Sequence, residues 1–300
     1  MKKGKFKKLG SNNVERFAWV FLSIMTVIFI FPMFMAIMVS ISSRESILNN
    51  GFQLFPEGYS LEAYELLFTS YGKSLVDSLV LTIGTGLIQP LLCIFLTMCM
   101  AYPLSQPDFV GKNFWRKYLV ITMFFSGGLI PNYILRTQYL GLKNNILIYF
   151  LPTLGAWSVF LFRTFFMGID SAIVESAKID GASKMQILCK IMLPLTKPLV
   201  AMNYFSGFLL RWNDIETPLY YITERRLYTV QYLLQEMLRS AEKAKELIEA
   251  GMSDGGEYLT IPTDSIRYAL AVIGAVPVIV LFPYIQKYYA KGIMVGSTKG

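Results

Sequence analysis

Apolar residues gather along this chain into six long runs, at about 17–41, 75–103, 118–135, 145–167, 190–212 and 268–290. Each has the roughly 17–25 residues a helix needs to cross a bilayer core, and tilt or an interfacial extension absorbs the excess in the longer ones. The pattern predicts six transmembrane helices. Helix breakers interrupt three of them: Gly84, Gly86 and Pro90 in the second, Gly127, Gly128 and Pro131 in the third, and Gly274, Pro277 and Pro283 in the sixth. Close helix packing at small residues accounts for each position singly. Irregular backbone at membrane depth is also tolerated beside protein or a water-filled path, and its recurrence over three helices favours a protein that moves. Between the fifth and sixth runs, QYLLQEMLRSAEKAKELIEAG (231–251) reads as an amphipathic helix, with Leu233, Leu234, Met237, Leu238, Ala241, Leu247 and Ile248 mainly on one stripe and Gly251 at its end.

Composition agrees. Of 300 residues, 54% are hydrophobic and only 16% charged, which fits a polytopic membrane protein. There is no histidine, so the commonest general base and metal ligand is missing. Cys93 and Cys99 lie six apart on one predicted helix and cannot pair without unwinding it; with Cys189 they are expected to be free thiols. The basic start, MKKGKFKK, precedes an apolar run about twice as long as a signal-peptide core, with no small-residue cleavage site after it, so that run is read as a retained first span.

Charge sets the sidedness. Lys2, Lys3, Lys5, Lys7, Lys8 and Arg16 precede the first span; Lys112, Arg116 and Lys117 follow the second; Arg163, Lys178, Lys184 and Lys190 surround the loop after the fourth; Lys287, Lys291 and Lys299 close the chain. The opposite side is more acidic, with two bases against four acids over 42–73 and seven against ten over 211–267. The basic side is therefore expected to be cytoplasmic, with both termini inside. Arg136 and Lys143 fall on the other side and disagree without overturning the sum. The expected organisation is a cytoplasmic tail (1–16), a first span with its outer loop (17–74), a five-span transmembrane domain (75–290) with a cytoplasmic loop at 170–194 and an outer loop at 213–267, and a C-terminal tail (291–300).

The cytoplasmic loop carries the most specific signal, ESAKIDGASKMQILCKIMLP from Glu175 to Pro194. Asp170 or Ser171 can cap a short helix over 172–180, and Gly181 stands where a helix often stops in a left-handed turn. Ser183 with Gln186 three residues on forms a capping box for a second helix, and Pro194 marks a kink at the entry to the fifth span. An amphipathic interfacial helix explains the amphipathicity but not the spacing.

That spacing fits E-A-A-x3-G-x9-I-x-L-P at Glu175, Ala177, Gly181, Ile191, Leu193 and Pro194, with Ser176 as the one departure. The chain thereby resembles the membrane permease subunits of ATP-binding-cassette carbohydrate importers, in the maltose-type group and its branch for larger and uronate-containing oligosaccharides. SGGLIPNYIL, FLFRTFF, WND at Trp212–Asp214, IPTDSIRYAL and the ending QKYYAKGIMVGSTKG look like the same branch. The resemblance implies an all-α, six-helix type I importer fold with a cytoplasmic coupling helix, and a subunit that is not an enzyme. It also implies a bacterial plasma-membrane location and a heterodimer with a second permease. Two cytoplasmic ATPase subunits holding ATP and Mg, an extracellular sugar-binding protein and an oligosaccharide complete the machine; no nucleic acid is involved. This chain has no G-x-x-x-x-G-K-[ST] loop and is expected to hold no cofactor itself. Contact with the ATPase is implied for Glu175, Ser176, Ala177, Asp180, Gly181 and Ala182.

A sugar path needs polar groups and aromatic faces within the bilayer. Asn203, Ser206 and Gly207 share a helix face, and Trp157, Ser158 and Gln89 are further candidates, against a plain role in helix-to-helix hydrogen bonding. Leu233, Met237 and Leu238 offer a dock for the binding protein, or belong to a helix that covers the outer mouth. An importer for another solute is the main alternative. A secondary transporter would need buried ionisable residues that the spans hardly offer.

Overall fold

The computed structural model describes residues 12–250 and 263–297, and every described element is helical apart from one isolated antiparallel bridge between Ser42 and Tyr59. The chain falls into two compact units, one of residues 1–70 with 238–273 and one of 71–237 with 274–300.

In the first unit, α1 (Asn12–Ser40) is a long apolar helix, and its most apolar stretch is wholly unburied, as a lipid-facing helix would be. Its last turn is tied down by Tyr64 Oη, which donates to Ser40 Oγ at 2.9 Å. The short α2 (Arg44–Asn50) is capped by Ser43, and Ser43 N donates to Gly58 O, closing the loop back on itself. Arg267 and Glu242 form an exposed ion pair at 2.7 Å.

The second unit holds the loop and the cavity. α3 (Glu62–Ser105) continues as a 44-residue helix through Pro90 and Pro103. It is followed by α4 (Lys112–Phe124) and α5 (Leu129–Ile134), then α6 (Ala156–Met167), α7 (Ser171–Ile179), α8 (Lys184–Ile187), α9 (Leu193–Leu195), α10 (Lys197–Trp212), α11 (Glu216–Tyr221), α12 (Val230–Glu249) and α13 (Thr263–Ser297). Its main core joins Met98, Ala101 and Tyr102 of α3 to Val159, Phe162 and Phe166 of α6 and to Val174 and Ala177 of α7. α3 and α10 touch where neither has room for more. A Cβ on Gly207 would stand 2.9 Å from Pro90 Cβ, one on Gly86 3.1 Å from the Phe208 ring, and Tyr204 Oη donates to Leu87 O at 3.1 Å. Gly274 is equally tight against Leu234, so close packing explains Gly86 and Gly274.

Three expected spans are broken rather than continuous. Among the described residues, two helices are long and apolar enough to cross a membrane, and three bent pairs raise that to five. The 118–135 run breaks after α4, at the positive φ of Gly128, and the following helix departs at 109°. In 145–167, residues 146–150 form a 3-10 turn and only α6 is α-helical. The 190–212 run bends by 85° between Leu195 and Lys197, so Pro194 precedes the kink by two residues. The 268–290 run lies within α13.

Candidate functional site

The loop after α6 is built by local bonds. The carboxylate of Asp170 accepts from Ala172 N at 3.0 Å and starts α7. Gly181 adopts φ +79°; its N–H donates to Lys178 O at 3.1 Å, and Ala182 N donates to Ala177 O at 3.0 Å. Those two bonds are a Schellman closure, and the left-handed residue it needs is a glycine. The expected capping box is present: Ser183 N donates to Gln186 Oε1 at 2.7 Å, and Gln186 N to Ser183 Oγ at 3.3 Å. After α8 a π-turn over Leu188–Met192 leads to α9 and the bend.

One face of α7, Val174 and Ala177, is buried in the core. Ala177 is only 8% exposed, so it anchors the helix and cannot offer surface to a partner as expected. Glu175, Ser176, Asp180 and Gly181 are exposed and Ala182 is half-buried. Between them stands Ile179, 87% exposed, a large apolar side chain with nothing over it. No sequence signal marks it, because Ile179 falls within the three unspecified positions of the loop spacing.

Above that core lies a cavity of about 700 Å³. Gln89 of α3, Ser158 of α6, and Asn203 and Ser206 of α10 all line it, which brings together four of the five residues expected on a path. The polar groups are satisfied within the chain: Asn203 Nδ2 donates to Leu199 O at 3.1 Å, Ser206 Oγ to Met202 O at 3.0 Å, and Gln89 Nε2 to Cys93 Sγ at 3.1 Å. Trp157 is not there. It is 69% exposed, about 100° round α6 from Ser158, and faces outward.

The cavity also holds residues that sequence reasoning left without a role. Arg211, at the end of α10, forms an ion pair with Asp214, and their side chains are only 11% and 12% exposed. Its guanidinium lies over the Tyr149 ring, 5.5 Å from the centroid, while Asp214 Oδ1 accepts from Thr217 N at 3.0 Å. A signal existed in the charges flanking Trp212 and Asn213, but nothing local showed that they were buried. A second cavity of about 430 Å³ shares Thr153, Asp214, Glu216 and Thr217 with the first and adds Asn132, Arg136, Tyr220 and Tyr221.

The amphipathic helix α12 forms where expected. Leu233 and Met237 are buried within the chain and Leu238 is half-buried, which corrects their reading as a docking surface. Burial of Leu233, Leu234 and Met237 fits the covering helix instead.

No protein-family model matches the chain. It is 33% identical over 284 residues to the polygalacturonan/rhamnogalacturonan transport system permease protein YtcP of Bacillus subtilis, covering 93% of this chain and 96% of that one. It is 26% identical over 289 residues to the arabinooligosaccharides transport system permease protein AraQ of the same organism, covering 94% of each. Among solved structures, a chain of a bacterial ABC transporter involved in the import of the acidic polysaccharide alginate superposes with a TM-score of 0.75 at 26% identity, over 94% of this chain and 99% of that one.

Proposed function

The chain belongs to the sugar permease subunits of ATP-binding-cassette transporters, integral proteins of the bacterial plasma membrane, and on that basis we propose that it is one half of the translocation path of an oligosaccharide importer and the half-site through which ATP closure is felt. The other half is a second permease. Two cytoplasmic ATPases hold ATP and Mg, and an extracellular binding protein delivers the sugar. Six spans with both ends in the cytoplasm is the arrangement that the charge asymmetry supports. The polygalacturonan/rhamnogalacturonan permease and the alginate transporter among the similar proteins favour a uronate-bearing oligosaccharide as cargo.

One observation carries the mechanical part. Ile94 and Phe162 line the cavity and also belong to the buried core that holds Val174 and Ala177 of the coupling helix α7. Packed interiors transmit displacement because they have no free volume to absorb it. A push on the exposed face of α7, at Glu175, Ser176 and Ile179, therefore reaches the cavity wall through side chains in contact. The double cap around Gly181 makes the loop stiff enough to deliver that push.

The test is reconstitution of this chain with its companion permease, ATPase and binding protein in proteoliposomes. Uptake of a labelled galacturonate oligosaccharide should require ATP on the cytoplasmic face and the binding protein on the other. Uptake without ATP, or assembly without an ATPase, overturns the reading.

A further inference from the structure

We propose that Arg136 is the residue of this subunit that reads the carboxylate of the sugar. The inference rests on the sugar-importer reading and assigns its acid selectivity to one side chain. Among the described residues that line the two adjacent cavities, the cations are Arg211 in the first and Arg136 in the second. Arg211 is already neutralised by Asp214 and lies over Tyr149. Arg136 is half-buried, and no ion pair to it occurs among the described residues. Its guanidinium carbon stands 5.3 Å from the centroid of the Tyr221 ring, and Tyr221 is in turn stacked on Tyr133 at 5.8 Å.

A guanidinium seated over an aromatic face keeps its in-plane N–H donors for another partner, and a planar carboxylate matches that fork with two parallel bonds. The rest of the wall suits a pyranose. Asn132 and Thr217 supply polar contacts, and Tyr220 supplies a partly exposed ring. The acids belong in the account too. Asp214 is occupied by Arg211, whereas Glu216 is exposed and lines both cavities. A carboxylate accepts only, so Glu216 suits the hydroxyls of the sugar and repels its acid. It leaves Arg136 as the place where that acid fits. The positive charge at 136, which runs against the sidedness of its loop, then has a use.

The test compares a labelled trigalacturonate with its methyl ester in the reconstituted importer, using one binding protein throughout so that its own preference cancels in variant-to-parent ratios. Arg136→Gln should lower uptake of the acid by about ten- to hundredfold, the range for a lost hydrogen bond to a charged group, and leave the ester within about twofold. Arg136→Lys keeps the charge, loses the fork and should fall between. Equal losses for acid and ester, or none for the acid, overturn the proposal. Parent importer that takes the ester as readily as the acid overturns it while leaving the sugar-importer reading intact; parent importer that takes no saccharide overturns both.

Discussion

Gly181→Ala isolates the turn that ends α7, the helix proposed to take up the motion of the ATPase. Gly181 sits at φ +79°, and nothing lies within 4 Å of where its Cβ would be, so the added methyl meets no neighbour. The whole cost is that of the left-handed conformation, roughly 1–2 kcal/mol for an L-residue with a Cβ. Against it stand the two closing bonds, Gly181 N to Lys178 O and Ala182 N to Ala177 O. At 1.4 kcal/mol for each factor of ten, the formed turn loses about an order of magnitude against an opened one. Val174 and Ala177 remain in the core, so the fold as a whole should melt unchanged. The readout is ATP hydrolysis by the reconstituted complex with and without sugar-loaded binding protein: stimulation should fall several-fold while basal hydrolysis persists. Gly181→Asn, which tolerates the left-handed region, should restore most of the stimulation. Full stimulation in Gly181→Ala, or a greater loss in Gly181→Asn, would refute the assignment of stiffness to this turn.

Two further substitutions test the walls of the cavity. Gly207→Ala places a Cβ 2.9 Å from Pro90 Cβ, forcing α3 and α10 apart at a cost of about 1–3 kcal/mol; thermal unfolding of the complex should begin at lower temperature. Arg211→Met strands Asp214 without its partner and should destabilise by about 3–5 kcal/mol, with Arg211→Met/Asp214→Asn recovering more than half in the same denaturation experiment.

The loop was legible because its signals are local. Asp170, Gly181, Ser183 and Gln186 act on backbone groups within a few residues, so type and spacing suffice. Which face of α7 is buried was not legible. The inward side holds the small Ala177 and the outward side the larger Ile179, the reverse of what hydropathy expects in a chain viewed alone; an exposed isoleucine makes sense once a partner covers it. Gly127, Gly128 and Pro194 pointed to the neighbourhood of two of the breaks in the apolar runs but not to their angles. From Phe124 to Gly128 every residue is apolar or small, and hydropathy carries no direction, so the 109° turn there left no trace in the profile. For the cavity, the three- and four-residue spacing of Ser206 and Gly207 from Asn203 on α10 gave the right face, whereas Trp157, one 100° step from Ser158, lies on the wrong one. Arg211 lies over Tyr149, which arrives from a distant turn, and no local pattern encodes that meeting.

ATP-driven uptake by the complex carrying Ile179→Asp tests the central claim most directly. The side chain is exposed and outside the core, so folding and pairing with the second permease should be retained, as co-purification of that permease would confirm. A charge on the apolar knob should disengage the loop from the ATPase and lower sugar-stimulated hydrolysis and uptake together by at least tenfold, while sugar binding to the delivery protein is untouched. Uptake at the parent rate in an intact complex would contradict the account, because force would then enter the permease somewhere other than α7.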